Sequence, residues 1–277
     1  MADPNLVVLP DEAAVARAAA VRLVAALAQA IRERGEAHVA LTGGSSAVGL
    51  FRQLRDPHWR QLVDWRRVHL WWGDERLVPV DHPDSNIGLA YNILLELPAL
   101  TGESGTGGEG VDVASGDLPA LPFVPENVHP YEVDEAVSGI EPAQLVAQRY
   151  AEQLERYLPA VGDLPGFDVI LLGVGPDGHI LSIFPGSTAL KSEELVVAVP
   201  APGHVPPHLE RVSLGPRLLP AAGVILVMVS GAAKAGVMAQ VLGTKHDPAT
   251  WPAQLALLPQ TTWLLDKAAA AEIQQNI

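Results

Sequence analysis

Phe167-Asp168-Val169-Ile170-Leu171-Leu172-Gly173-Val174-Gly175-Pro176-Asp177-Gly178-His179 is the stretch on which the fold is decided. Its first half is a short apolar run, rich in branched side chains and bounded by glycine, the pattern of a strand buried in a parallel sheet. The run ends at Gly173, and Gly175, Pro176 and Gly178 then impose a sharp turn. Asp177 and His179 fall just past the carboxyl end of that strand, where open α/β sheets place their ligands. A carboxylate two residues from an imidazole can hold the ring in one tautomer and raise its basicity, as a water-activating base requires. The plainer reading is a closed turn in which Asp177 caps backbone and His179 faces solvent. The stretch alone does not separate the two.

The same layout precedes it. His38-Val39-Ala40-Leu41 is a short strand, Thr42-Gly43-Gly44-Ser45-Ser46 a turn, and Ala47 to Leu54 a helical run. Strand, glycine-rich turn and helix aim free N–H groups at an anion, and Ser45 adds a hydroxyl. Many strand-to-helix turns share this look, and it matches neither the P-loop nor the dinucleotide fingerprint. Val68 to Trp72 is a third strand, followed by Gly73-Asp74-Glu75-Arg76 at the same edge, which also reads as a solvated loop. Asp84-Ser85-Asn86 caps a helix through Leu95, and His82 is a loop residue.

Beyond the central stretch, Leu195 to Val199 and Arg211 to Leu214 are short strands around the loop Pro200 to His208. His204 and His208 are four apart, but Pro206 and Pro207 prevent the helix that would put them on one face, so the spacing argues against a metal. Gly223 to Val229 is a buried strand, and Ser230-Gly231-Ala232-Ala233-Lys234 opens a helix to Leu242. A lysine in the first turn of a helix opposes the dipole; a bound anion would account for it, as would a side chain that reaches solvent. Asp11 to Arg34 is a covering helix, Glu141 to Tyr157 an amphipathic one, and the chain closes with a strand at Thr261 to Leu265 and a helix from Asp266. The alternation predicts a Rossmann-like α/β fold: a mostly parallel sheet with helices on both faces.

With 18 basic residues against 32 acidic, the formal charge is −14. A field of that sign repels nucleic acid and anionic membranes. It also repels an anionic substrate unless basic side chains and N–H groups gather locally, which directs attention to Arg76, Arg211 and Lys234 beside the glycine turns. The absence of cysteine excludes disulfides, thiolate chemistry and cysteine-ligated metals. No acid–histidine group has ligand spacing, so neither metal nor cofactor is expected. The N-terminus lacks a signal-peptide layout and no apolar run approaches the roughly 20 residues of a membrane span, which reads as cytoplasmic. From Thr101 to Pro122 the composition turns to glycine, serine, acids and proline, a flexible surface insertion within one domain of residues 1–277.

These motifs together, Thr42-Gly43-Gly44-Ser45, Trp72-Gly73-Asp74-Glu75-Arg76 with Ser85-Asn86, Gly173 to His179, Arg211-Val212-Ser213 and Gly231 to Lys234, resemble those of the 6-phosphogluconolactonases, in the wider group that includes the glucosamine-6-phosphate deaminases. The resemblance covers nearly the whole chain and implies a fold related to the deaminases. It also implies hydrolysis of 6-phospho-D-glucono-1,5-lactone in the oxidative pentose phosphate pathway. On that reading His179 is the base and Asp177 its partner, with Asp74 and Arg76 in the catalytic group. Thr42, Gly43, Gly44, Ser45, Arg211 and Lys234 hold the substrate and its phosphate. The partner is then a small sugar-phosphate lactone, with no nucleic acid, membrane or obligate protein partner.

The deaminases carry a glutamate before their Pro-Gly and a tyrosine after Asp-Glu; here Phe184 and Arg76 stand in those places. A third reading, a non-catalytic sugar-phosphate sensor, calls for an added DNA-binding segment. The chain begins within a few residues of its first helix, and its charge is −14.

Overall fold

The computed structural model describes residues 5–95, 119–243 and 245–273. Up to residue 118, the expected insertion lies outside the described residues. In chain order, β1 (Asn5–Leu9) leads into α1 (Glu12–Arg34), β2 (Ala37–Leu41), α2 (Gly44–Arg55) and the single turn α3 (Pro57–Arg60). Then come β3 (Val68–Trp72), β4 (Asp74–Arg76), α4 (Asn86–Ala90), β5 (Val128–His129), α5 (Asp134–Val137) and α6 (Ala143–Tyr157). A hairpin of β6 (Ala160–Val161) and β7 (Leu164–Pro165) precedes β8 (Val169–Leu172), β9 (Val196–Val199) and β10 (Arg211–Leu214). β11 (Val224–Val229), α7 (Ala235–Gly243) and β12 (Thr261–Asp266) complete the fold.

Seven strands form one parallel sheet in the order β1-β12-β11-β8-β2-β3-β5. From β2 the chain builds outward to β3 and β5, and from β8 it builds the other way to β11 and β12. The adjacent carboxyl ends of β2 and β8 therefore mark a topological switch point, where helices leave a crevice for a ligand. All four side chains of β8 are fully buried, as its unbroken apolar run requires. A second sheet, β4-β10-β9, is antiparallel and was not expected from the sequence. Nor was β1.

α1 begins where Asp11 Oδ1 accepts the Ala14 N–H at 2.8 Å and stops at Gly35, whose φ of 89° suits glycine. Contrary to expectation, this helix is long and apolar enough to cross a membrane. In the fold its buried stripe, Ala16, Ala19, Ala20, Leu23 and Leu27, packs on β2, β11 and β12. α2 starts at Gly44 rather than Ala47, and α6 at Ala143 because Pro142 occupies its N-cap. The helix expected from Asp266 is replaced by turns: its carboxylate accepts the N–H groups of Ala269 at 2.7 Å and of Gly231, which ties the chain locally.

Towards the amino ends of β2 and β3 the fold brings together Glu36, His38 and His69, with His129 behind, a grouping that sequence spacing did not show. The Trp71 indole N–H donates to His38 Nδ1 at 3.2 Å, so the neutral His38 carries its proton on Nε2, facing Glu36 Oε1 at 3.4 Å. His129 Nε2–H donating to His69 Nδ1 at 2.9 Å likewise leaves the His69 proton facing Glu36. The network closes with three neutral imidazoles and one carboxylate. An ion on His38 Nε2 would require a proton on Nδ1, where the Trp71 N–H already points.

Burial lowers the pKa of His38 and takes those of His69 and His129 to about 4. Folded values below the unfolded one mean that the network's contribution is complete above about pH 6.5 and is lost as pH falls toward 4. Stability, and with it the thermal midpoint, should therefore fall as the pH drops through that window. His129→Asn should flatten the slope; an unchanged slope in that variant would contradict the assignment.

Candidate active site

The turn after β8 is shaped around one imidazole. A side chain at Gly175 would place its Cβ 2.1 Å from the His179 ring, so only glycine leaves room for it. Asp177 Oδ1 accepts from His179 Nδ1 at 2.5 Å and from the His179 N–H at 3.2 Å, which leaves Nε2 as the unprotonated ring nitrogen. Phe184 lies against the ring, centroid to centroid 4.6 Å. Burial raises the Asp177 carboxyl, but hydrogen bonds from His179 and His204 outweigh it and hold the group well below the usual carboxylate range.

β4 presents alternate side chains to opposite sides. Glu75 is fully buried and accepts from the N–H groups of Arg76, Asn86 and Ile87 and from Ser85 Oγ, at 2.7–3.0 Å. That bonding fixes β4 to the start of α4. Asp74 and Arg76 face the other way, into the crevice. Asp74 accepts from Ser182 Oγ at 2.6 Å and from Asn86 Nδ2 at 3.2 Å. Arg76 donates to the Asp84 carbonyl at 2.5 Å and lies directly across the strand pair from Arg211. Arg211 is buried, donates to the Pro207 carbonyl at 3.1 Å and stacks on Phe184 at 5.2 Å. Like charges opposite each other on paired strands repel. Each arginine also carries a buried Nε with no hydrogen-bond partner among the described residues. Both features are accounted for by an anion between them.

On the β2 side, Gly43 approaches Asn86 so closely that a Cβ would fall 1.8 Å from its Oδ1. No side chain caps α2, so its first N–H groups open toward the crevice. Lys234 ends a short 3₁₀ turn, Ala232–Lys234, rather than opening α7 itself. Its Nζ donates to the Val174 carbonyl at 2.6 Å, bracing the turn after β8; burial lowers its pKa while Asp177 raises it. A cavity of about 330 Å³ is lined by Thr42, Gly43, Gly44, Ser45, Asp74, Arg76, His179, Arg211 and Lys234, with Asp177 behind His179. The fold thus brings all the sequence-predicted site residues to one place. Asn86, Ser182 and His204 are not among the site residues predicted from the sequence, although Ser85-Asn86 belongs to one of the motifs that carry the family resemblance.

The sequence profile of the glucosamine-6-phosphate isomerases/6-phosphogluconolactonase family matches residues 10–265. The chain belongs to that family. It is 36% identical over 272 residues to a 6-phosphogluconolactonase of Mycobacterium tuberculosis, covering 97% of this chain and 98% of the other. A 6-phosphogluconolactonase of Streptomyces coelicolor is 32% identical over 276 residues, 99% and 96% of the two chains. The solved 6-phosphogluconolactonase of Trypanosoma brucei superposes with a TM-score of 0.77 at 28% identity, over 98% of this chain and 99% of that one. A monomeric glucosamine-6-phosphate deaminase shares the fold at 20% identity, with a TM-score of 0.70 over 97% and 99%.

If the arginine pair and the α2 N-terminus form an anion site, inorganic phosphate should raise the thermal midpoint. At ten times its Kd the gain is about 1.4 kcal/mol, or roughly 3 °C for a chain of this size. Arg211→Gln should abolish the rise; a rise of the same size in that variant would place the anion elsewhere.

Proposed function

We propose that this chain hydrolyses 6-phospho-D-glucono-1,5-lactone to 6-phosphogluconate, with His179 activating the water. The observation that carries this reading is an imidazole whose Nδ1 is anchored by Asp177 at the sheet's switch point, leaving Nε2 unprotonated, in the same cavity as two arginines that make no ion pair among the described residues. The phosphate lies on the Gly43-Gly44-Ser45 turn with Arg211 and Lys234, which places the lactone carbonyl toward His179. Water attacks that carbonyl carbon as Nε2 accepts its proton. The resulting oxyanion lies among donors that include Arg76. Collapse breaks the bond to the ring oxygen, and the imidazolium returns the proton to it, so one group serves as base and then acid. Asp177 stabilises the imidazolium between the two steps. The reaction needs neither a covalent nucleophile nor a metal. We assign it to one domain spanning the chain and to the cytoplasm, with a small sugar-phosphate lactone as the partner.

His179→Ala should lower kcat by a factor of roughly 10² to 10⁴ with KM little changed, and Asp177→Asn somewhat less. Spontaneous lactone hydrolysis must be subtracted. A folded His179→Ala enzyme with near wild-type kcat would sink the mechanism and leave Asp74 as the next base to test. Arg211→Ala and Lys234→Ala should act mainly on KM, each by on the order of 1.5–3 kcal/mol. Wild-type KM in both would move the phosphate elsewhere. Exhaustive chelation should leave the rate unchanged, and loss restored by one divalent ion would overturn metal independence. Deaminase activity on glucosamine 6-phosphate is the second reading. Phe184, an apolar ring against His179, disfavours it, and assaying both substrates decides.

A further inference from the structure

Asp177 accepts from more than one imidazole. While Oδ1 holds His179, Oδ2 accepts from His204 Nε2 at 2.7 Å; a carboxylate can only accept, so His204 must carry its proton on that nitrogen. His204 belongs to the loop between β9 and β10, which is anchored independently of this bond. Its neighbour Val205 is buried with Phe184, Val197 and Val199 in a small apolar cluster. His208 Nδ1–H donates to the Pro202 carbonyl at 2.6 Å and Arg211 to that of Pro207, so the loop is braced from within and from β10. Val205 and Pro206 line the cavity. The His204 side chain is 51% exposed, against 16% for Asp177, and therefore adds little packing. Its definite attachments are this hydrogen bond and an edge-on contact with Phe184 at 5.9 Å.

We infer that His204 is a positioning residue: by anchoring the second oxygen of Asp177, it fixes the plane of the carboxylate and, through it, the direction of His179 Nε2. The inference rests on His179 being the base. A carboxylate held at one oxygen can rotate about its own axis, and the imidazole it orients swings with it. Anchored at both oxygens, it cannot. The same contact makes the loop wall and the catalytic turn one unit, so a substrate that seats against Val205 and Pro206 also bears on the base. Arg211 and Lys234 also lie within the electrostatic reach of Asp177, and the side-chain hydrogen bonds they make go elsewhere, to the Pro207 and Val174 carbonyls.

The test is a double-mutant cycle on the full chain, with thermal melts to confirm folding. His204→Ala should lower kcat about three- to tenfold, the range expected for one partly exposed, charge-assisted bond, and should leave KM within about twofold. His204→Gln, whose amide N–H can still reach Oδ2, should recover most of the loss. In an Asp177→Asn background His204→Ala should cost little more, because its effect passes through the carboxylate. Wild-type kcat in His204→Ala, a loss confined to KM, or a full additive loss on Asp177→Asn would each overturn the inference. The two readings fail separately. An inactive His179→Ala beside an unaffected His204→Ala removes only the positioning role, whereas an active His179→Ala removes the base and the positioning role with it.

Discussion

The buried carboxylate of Glu75 is the constraint on which the rest of the site depends. It has no exposed surface, and burial pushes its pKa up to about 7. Among the described residues no cation is bonded to it. Its four donors are the N–H groups of Arg76, Asn86 and Ile87 and the hydroxyl of Ser85, which itself caps α4 by accepting the Gly88 N–H. Glu75 thus sits at a helix N-terminus, where free N–H groups and the helix dipole favour an anion. A segment of three charged residues has no apolar reason to be a strand. Glu75 supplies the reason by tying β4 to α4 on one side, while β10 completes its hydrogen bonding on the other.

Once β4 is held, strand alternation does the rest. Asp74 and Arg76 must face away from Glu75, and antiparallel register sets Ser213 beside Asp74 and Arg211 beside Arg76. Ser213 Oγ then accepts the Ser182 N–H, and Ser182 Oγ donates to Asp74, which fastens the segment after the Asp177–His179 turn to the second sheet. Two arginines are left side by side in a chain of formal charge −14. The net field would repel a phosphate at long range, but salt screens it beyond about 10 Å. Within that distance the arginine pair and the α2 N-terminus set the local potential.

The parallel sheet and the two glycine turns at its switch point were legible because each depends on local chemistry: apolar runs of strand length, then glycines where the backbone must turn or come close. The glycine at 175 is legible as a turn residue, whereas its second role, clearing space for the His179 ring, needs the fold. The antiparallel sheet was not legible, because Asp74-Glu75-Arg76 lacks the alternating apolar pattern that marks a half-buried strand. His204 was read only for metal spacing, and its bond to Asp177 crosses 27 residues that no local pattern links. Asn86 and Ser182 went unseen as site residues for the same reason: their partner, Asp74, lies in another part of the chain. The helix expected after β12 failed because the Asp266 carboxylate is satisfied by a turn and by Gly231.

Phe184 shows how one side chain can separate two chemistries on this fold. Its ring touches His179, lies edge-on to His204 and carries the Arg211 guanidinium over its face. A carboxylate in its place would pair with Arg211 and cancel its charge. It would also offer His179 a second acceptor in competition with Asp177. The aromatic face instead holds Arg211 through the ring quadrupole, which orients the guanidinium without neutralising it. It also leaves Asp177 as the carboxylate bonded to the imidazole. The same residue that removes an acid from the cavity therefore keeps both the Arg211 cation and the Asp177-bonded tautomer of His179. That combination suits hydrolysis by an activated water better than chemistry needing a second carboxyl group.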